Sequence, residues 1–386
     1  MRSWEPKLRS VAGLLLLFQL SASPAVAQGS SCADALQHLF PAAAAPASPL
    51  RAPIGSLKRI SSASDWGPRV EIRLGAPGGR KPQDIQTLTI GQYNVLDFNS
   101  TKPDRDIRGV AETILRADPD ILVLEEVGNA RFLSEFNASH LGGRYEPLLI
   151  EGNGSGIHVG FLLKKDLPFE VEAQSFKNVA EAAADAPLFS RDLPVLVFRE
   201  TGGDARGPPR FAVAGTHYKS QRSRDATIDT AAIRTRQAEA SAQIFEHYRK
   251  ELGPKVALVL AGDFNDDVRH ARSFDSLKAR VGMEDSFDLA PARKSVPVAD
   301  RVTQTFHPRD GSPTVGSQLD AIWISGVARE SGIIREAQVV PYLDAHGRIR
   351  PTPKTHAERH ENPSDHFMIR TVLDYAGLRK LQQNAN

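Results

Sequence analysis

Residues 256–265 read VALVLAGDFN. The run from Val256 to Ala261 is apolar throughout, follows the breaker pair Gly253-Pro254, and is too short for a buried helix. It therefore predicts a fully buried strand. The strand then ends on two polar residues, Asp263 and Asn265. Polar groups just beyond strand ends are how α/β scaffolds assemble a site, because several strands can deliver side chains to one edge.

The same pattern recurs on both sides. Upstream, residues 227–252 read as a long helix. Asp120 to Glu125 is a second apolar strand, and residues 156–163, 194–199 and 210–216 read as further ones. Leu88, Ile90, Tyr93 and Val95 belong to a β-rich run, and Ile107, Val110, Ala111, Ile114 and Leu115 fall on one helical face. Ala321 to Ser325 and His366 to Val372 complete the strand set. Some neighbouring strands lack a crossover helix, which predicts a mixed α/β domain over residues 85–375, followed by a tail at 376–386. Residues 181–185 and 201–209 read as exposed loops. Residues 341–363 read as a long structureless connection carrying Arg348, Arg350, Lys354, Arg359, His346, His356 and His360.

The first residues read as an export signal. Arg2, Lys7 and Arg9 precede the apolar stretch Val11–Leu20, and Ala25-Val26-Ala27 is a small-x-small cleavage site. The apolar stretch is too short for a retained anchor, so no integral membrane segment is expected once residues 1–27 are removed. Residues 28–84, Ala/Pro-rich at 41–55 and Gly/Pro-rich at 75–82, read as linker and irregular segment. Removal of Arg2, Lys7, Arg9 and Glu5 leaves a formally neutral chain, so bulk charge does not force binding to a polyanion. The single cysteine, Cys32, excludes an internal disulfide. An exported chain without disulfides points to a bacterial periplasmic or extracellular enzyme, and a monomer is expected.

Six segments carry the chemistry. They are Gln92-Tyr93-Asn94-Val95, Leu124-Glu125-Glu126-Val127, Gly215-Thr216-His217-Tyr218-Lys219-Ser220, Ala261-Gly262-Asp263-Phe264-Asn265, Gln318-Leu319-Asp320-Ala321-Ile322 and Ser364-Asp365-His366. Each alone has a bland reading as a turn residue, a solvated strand end or a surface ion pair. Together, in this order, they resemble the endonuclease/exonuclease/phosphatase superfamily, across most of the chain. The resemblance implies a four-layer α/β sandwich, two mixed β-sheets packed face to face and flanked by helices.

It also implies roles. Asn94, Glu126 and Asp365 match the metal-binding end, an oxygen-rich set suited to Mg²⁺, or to Mn²⁺ or Ca²⁺, rather than zinc. Asp263 and Asn265 match the pair that orients water and phosphate oxygens, and an extended segment would point both the same way. His366 matches the catalytic histidine and Asp320 its carboxylate partner. His217 matches the second histidine of the deoxyribonuclease branch, with Glu151 the candidate for its support. Arg191, Lys219 and Ser220 are candidate phosphate contacts. Two departures stand out. Glu125 replaces the usual glutamine and adds a charge beside Glu126, and His158 stands where bacterial relatives often carry aspartate.

Three functions follow. One is an exported metal-dependent nuclease acting on DNA or RNA. The second is a phospholipid (sphingomyelinase-like) or small-molecule phosphodiesterase or phosphatase, and the third a non-catalytic binder. Export, His217 followed by Lys219-Ser220, and the basic loop favour the nuclease with a nucleic-acid substrate. No long apolar insertion supports a lipid surface.

Overall fold

The computed structural model describes residues 67, 69–75, 79–154, 156–180, 187–201, 207, 209–223, 225–308, 312–326 and 332–383. The export signal, Cys32, the Ala/Pro stretch, the loop at 181–185 and most of the loop at 201–209 lie outside these residues. In chain order the strands are β1 (Arg69–Arg73), β2 (Thr87–Phe98), β3 (Ile121–Val127), β4 (Tyr145–Ile150), β5 (His158–Lys164), β6 (Phe169–Gln174), β7 (Val195–Glu200) and β8 (Pro209–His217). They continue with β9 (Ala257–Asp263), β10 (Met283–Asp285), β11 (Gln304–Phe306), β12 (Val315–Ser317), β13 (Asp320–Ser325), β14 (Ile334–Val339) and β15 (Ile369–Asp374). The helices are α1 (Asp104–Ala117), α2 (Ala130–His140), α3 (Thr230–Leu252), α4 (Asp275–Val281), α5 (Ser286–Leu289), α6 (His356–Arg359) and α7 (Tyr375–Gln383).

A seven-stranded sheet runs β1-β6-β7-β8-β9-β13-β10, and a six-stranded sheet runs β14-β15-β2-β3-β5-β4. Each is mixed: β8 and β9 pair parallel in one, β2 and β3 in the other, and their remaining pairs are antiparallel. The sequence dictates the layers through its alternation. In β9, Ala257, Val259 and Ala261 join a core shared with Ile121, Val123 and Phe161 of the other sheet, which sets the sheets face to face. Leu258 and Leu260 point the opposite way and pack with Ala238, Phe245 and Leu277 of α3 and α4. On the far side, Leu122 and Leu124 of β3 pack with Ile107, Val110, Ile114 and Phe136 of α1 and α2. The arrangement is the expected four-layer sandwich. Strands covered on both faces have no room for polar alternates, which is why β9 and most of β3 read as continuous apolar runs.

Boundaries differ from the sequence reading in several places. β1, with the sequence RVEIR, pairs antiparallel with β6 from Arg69↔Gln174 to Arg73↔Glu170, so the folded body begins before residue 85. Its charges and exposure suit an edge strand and disguise it in the sequence. At the other end, α7 buries Tyr375 and Leu378, and the Tyr375 hydroxyl donates to Glu200 Oε1 at 2.6 Å, so residues 376–383 are helix rather than tail. α3 begins at Thr230 because Asp229 caps it, accepting from the Ala232 N–H at 2.9 Å. Leu115 is exposed, since eight residues on from Ile107 it has rotated to the flank of the α1 apolar face. The connection at 341–363 is not structureless. Leu343 and Ile349 form an isolated bridge, Asp344 pairs with Arg348 at 2.8 Å, and α6 lies within it.

Candidate active site

The site is built at strand ends. In the six-stranded sheet, β2 and β3 pair from Ile90↔Ile121 to Asn94↔Glu125, then slip until Phe98↔Val127. Inside the slip Leu96, Asp97 and Glu126 take left-handed backbone, with φ of 50°, 46° and 65°. Such values are uncommon outside glycine and concentrate where surrounding structure holds strain for function. The bulge breaks the strand's alternation. Glu125 stays fully buried, while Glu126 turns into a cleft. Asn94 Nδ2 donates to Glu126 Oε1 at 3.2 Å, and the Asp97 N–H donates to its other oxygen at 2.9 Å.

In the seven-stranded sheet three adjacent strand ends come level. Asp263 stands opposite His217 in the parallel β8–β9 register and opposite Asp320 in the antiparallel β9–β13 register. A tight backbone makes this possible. A Cβ on Gly262 would lie 1.9 Å from the Thr216 carbonyl oxygen, so only glycine fits before Asp263. His366 arrives from the segment before β15. Its Nδ1 lies 2.8 Å from Asp320 Oδ2, and its Nε2 is 3.8 Å from Asp263 Oδ2. His217 Nε2 approaches the same Asp263 oxygen at 3.6 Å. Asn265 is not on an extended segment as the alternation argument supposed. It has φ of 52°, and its N–H donates to Asp263 Oδ1 at 2.8 Å. This local turn, fastened by Asn265 Nδ2 to the Tyr218 carbonyl at 3.1 Å, is what puts both side chains on one side.

The electrostatics separate the two histidines. Burial alone would lower His366, but the Asp320 and Asp263 carboxylates overcome it and hold the imidazole well above its usual range. Burial, reinforced by Arg191 and His366, drives His217 well below the ordinary histidine value. The two rings are thus driven apart, His366 toward the cation and His217 toward the neutral form. Burial pushes Asp263 upward, and the His366 charge opposes it. Burial also opposes ionisation of Asp365, yet His366 and Arg359 hold it below the usual carboxylate range. Glu125 does not carry the added charge expected of it. Burial, then Asp320 and Asp263, push it well up, which favours the protonated form, and its Oε2 accepts from Gln92 Nε2 at 2.8 Å.

A cleft of about 750 Å³ brings together Glu126, Arg191, His217, Ser220, Asp263, Asn265, Asp365 and His366. Asn94 and Asp320 stand behind it and orient those that line it. Lys219 is not part of the lining; its Nζ is 3.1 Å from the Arg222 carbonyl. Glu151 is exposed, and its field acts on His158, whose Nδ1 accepts from the Gly152 N–H at 3.1 Å. No described contact joins Glu151 to His217, whose Nδ1 is buried without a partner. Sequence reasoning passed over Gln92, whose Nε2 also reaches Asp320 Oδ1 at 2.8 Å, tying Glu125 to the dyad. It also missed Lys102, whose Nζ donates to the Leu96 carbonyl at 2.6 Å and feels Glu126 and Asp365. Gln92 had a signal, standing two residues before Asn94 on the same strand, whereas Lys102 had none, because it matters only through partners brought near by the fold.

The donor chemistry fits a divalent cation. Asp365 Oδ1 is buried without a partner, while its other oxygen is held by Arg359 at 3.0 Å. Asp263, Asp320 and His366 also offer one ligand atom each within 4.8 Å of one another.

Comparison with known proteins agrees with this geometry. The model of the endonuclease/exonuclease/phosphatase family matches residues 91–366. No curated protein sequence matches. Among solved structures, a family member from Bacteroides thetaiotaomicron is 18% identical with a TM-score of 0.50, over 74% of this chain and 97% of that one. A mannosyl-6-phosphatase from the same organism is 17% identical with a TM-score of 0.50, over 74% and 99%. The human Nocturnin catalytic domain with bound sulfate is 17% identical with a TM-score of 0.50, over 79% and 97%. At these identities the structures share the fold, and it is the family match over most of the chain, meeting the strand-end constellation, that makes this chain a member of the endonuclease/exonuclease/phosphatase family and a metal-dependent phosphoester hydrolase.

Proposed function

We propose that the chain is a nuclease that hydrolyses DNA or RNA phosphodiesters with Mg²⁺. One observation carries the reading. The acid–base group lies in an open cleft whose wall beyond the carboxylates carries Arg191 and Arg222, with Arg359 held against Asp365, so fixed positive charge extends past the site of one phosphate, as a polyanion needs. In this reading Glu126 and Asp365 hold the cation, with Asn94 fixing Glu126. When bound, the metal polarises the phosphoryl oxygens and eases deprotonation of water. Asp263 and Asn265 hold the attacking water. His366, held toward its cationic form by Asp320, neutralises charge on the phosphoryl group and gives its Nε2 proton to the leaving oxygen, while Asp263 takes the proton that the attacking water gives up. His217, neutral and against Asp263, hydrogen-bonds a phosphoryl oxygen through Nε2, and Arg191 supplies fixed positive charge. Lys219 and Glu151 have no part.

The test is plasmid DNA and a single-stranded RNA with Mg²⁺, Mn²⁺, Ca²⁺ or EDTA, beside His366→Ala. Cleavage that EDTA stops and the variant loses by roughly 10²–10⁴-fold supports the reading. Folded protein that cleaves neither polymer with any metal, yet hydrolyses sphingomyelin or a sugar phosphate, sinks it. We also propose that residues 1–27 direct export from a bacterial cell. Intact mass of protein recovered outside the cytoplasm should show a chain starting at Gln28, and an unprocessed chain confined to the cytoplasm refutes this.

A further inference from the structure

The hairpin of β11 and β12 leaves two large apolar side chains in the open. Phe306 is 40% exposed and Val315 51%, and they face each other across the pair. Both line the catalytic cleft. The hairpin hangs on the segment that carries His366. The Thr305 N–H donates to the Asp365 carbonyl at 3.1 Å, and the Phe367 N–H donates to the Thr303 carbonyl at 2.7 Å. Gln304 forms a bridge with His366 itself. Phe306 therefore stands two residues along from Gln304, the residue bridged to His366, about 6.6 Å of extended chain. Thr305 between them is buried, so Gln304 and Phe306 share the outer face of β11.

A second element meets the ring from across the cleft. The Arg222 guanidinium sits over the Phe306 face, 4.6 Å from its centroid. Its loop is fastened at both ends of the residue: the Arg222 N–H donates to Ser220 Oγ at 3.2 Å, and Lys219 Nζ donates to the Arg222 carbonyl at 3.1 Å. The guanidinium covers one face of the Phe306 ring, and the ring's other face and the outer face of the guanidinium are both flat platforms beside the phosphodiester site that match a flat, electron-rich, uncharged ring. It does not match the quaternary ammonium head of a choline lipid, which Arg222 would repel.

We infer that Phe306 and Arg222 form a subsite that stacks one unpaired nucleobase beside the scissile phosphate, making single-stranded nucleic acid the preferred substrate. This rests on the nuclease reading. A base in a duplex is already stacked on its neighbours, so it reaches such a platform only from a single strand, a loop or an end.

The test uses a single-stranded oligonucleotide in which every linkage but one is a methylphosphonate. Two further versions lack the base on the 5′ or the 3′ side of the cleavable linkage. Phe306→Ala should raise KM on the intact oligonucleotide by roughly 5- to 150-fold, with a smaller change in kcat. On the version lacking the stacked base, wild type and Phe306→Ala should be equal. Phe306→Trp should restore a low KM, and the thermal midpoint of Phe306→Ala should match wild type because the ring is half in solvent. An unchanged KM on the intact oligonucleotide, or an equal rise on all three versions, overturns the subsite while leaving the nuclease reading standing. A loss confined to sphingomyelin vesicles overturns it in favour of lipid docking. Wild type that cleaves none of the oligonucleotides removes the nuclease reading and the subsite together.

Discussion

Burial and the Asp320 and Asp263 carboxylates push Glu125 well above the ordinary carboxyl range, so a residue that is ionised in the unfolded chain folds protonated. The sign of the linkage is then set. Its contribution to stability is complete below the unfolded value near 4.5 and is lost as pH rises through the folded value. Glu125→Gln keeps the hydrogen bond to Gln92 without that loss. We expect the variant to match wild type near pH 4 and to have the higher melting temperature at pH 8, measured by thermal denaturation across that range. Equal midpoints at pH 8 refute the protonated assignment. His366 answers to a different balance, in which burial lowers it and Asp320 and Asp263 raise it. Asp320→Asn removes a main raising charge. We expect kcat to fall by roughly 10²–10⁴-fold, and the alkaline limb of the residual kcat/KM profile to move to lower pH. A limb that stays in place shows that another group titrates there.

Elements reach the site by breaking their own regularity. β3 would send Glu126 into the core by alternation, and the bulge at φ 65° turns it out. β9 ends at Asp263, and the left-handed turn at Asn265 folds the next polar side chain back beside it. These departures were not legible in the chain, because a bulge is decided by neighbouring strands: β2 and β5 both lose register against β3 over the same residues. The parallel contact of β8 and β9 is tighter still. Gly262→Ala would drive a Cβ into the Thr216 carbonyl, 1.9 Å away, and neither backbone can yield without moving Asp263 from His217. We expect a destabilisation of about 1–3 kcal/mol or more by urea titration, with turnover lost beyond what the unfolded fraction explains. A fully active, equally stable variant contradicts the tight approach.

At the scale of the whole molecule, the two sheets touch closely enough that a Cβ on Gly215 would meet Val159 Cγ1 at 2.6 Å and Val123 Cγ1 at 2.9 Å. That face-to-face core is closed at one edge by β1. A chain starting at Leu74 loses five cross-strand pairs with β6, each worth roughly 0.2–1 kcal/mol, and bares an edge. Against a chain starting at Gly67, we expect it to be less stable by on the order of 2 kcal/mol in urea and more prone to aggregate; equal midpoints would show that β1 contributes nothing. The sequence by itself determined the sandwiched strands, since runs such as VALVLAGD can be buried only between two layers. It also singled out the candidate site residues, because Asn94, Glu126, His217, Asp263, Asn265, Asp320, Asp365 and His366 lie at or beside strand ends in one order. Only the tertiary structure decided that Glu125 is driven toward its neutral form, that Gln92 ties it to Asp320, that Lys219 and Glu151 lie off the cleft lining, and that Phe306 faces the cleft. Charge state and contact are set by atoms distant in sequence: burial strips away water, and partners 33 and 228 positions from Gln92 supply what the water had given.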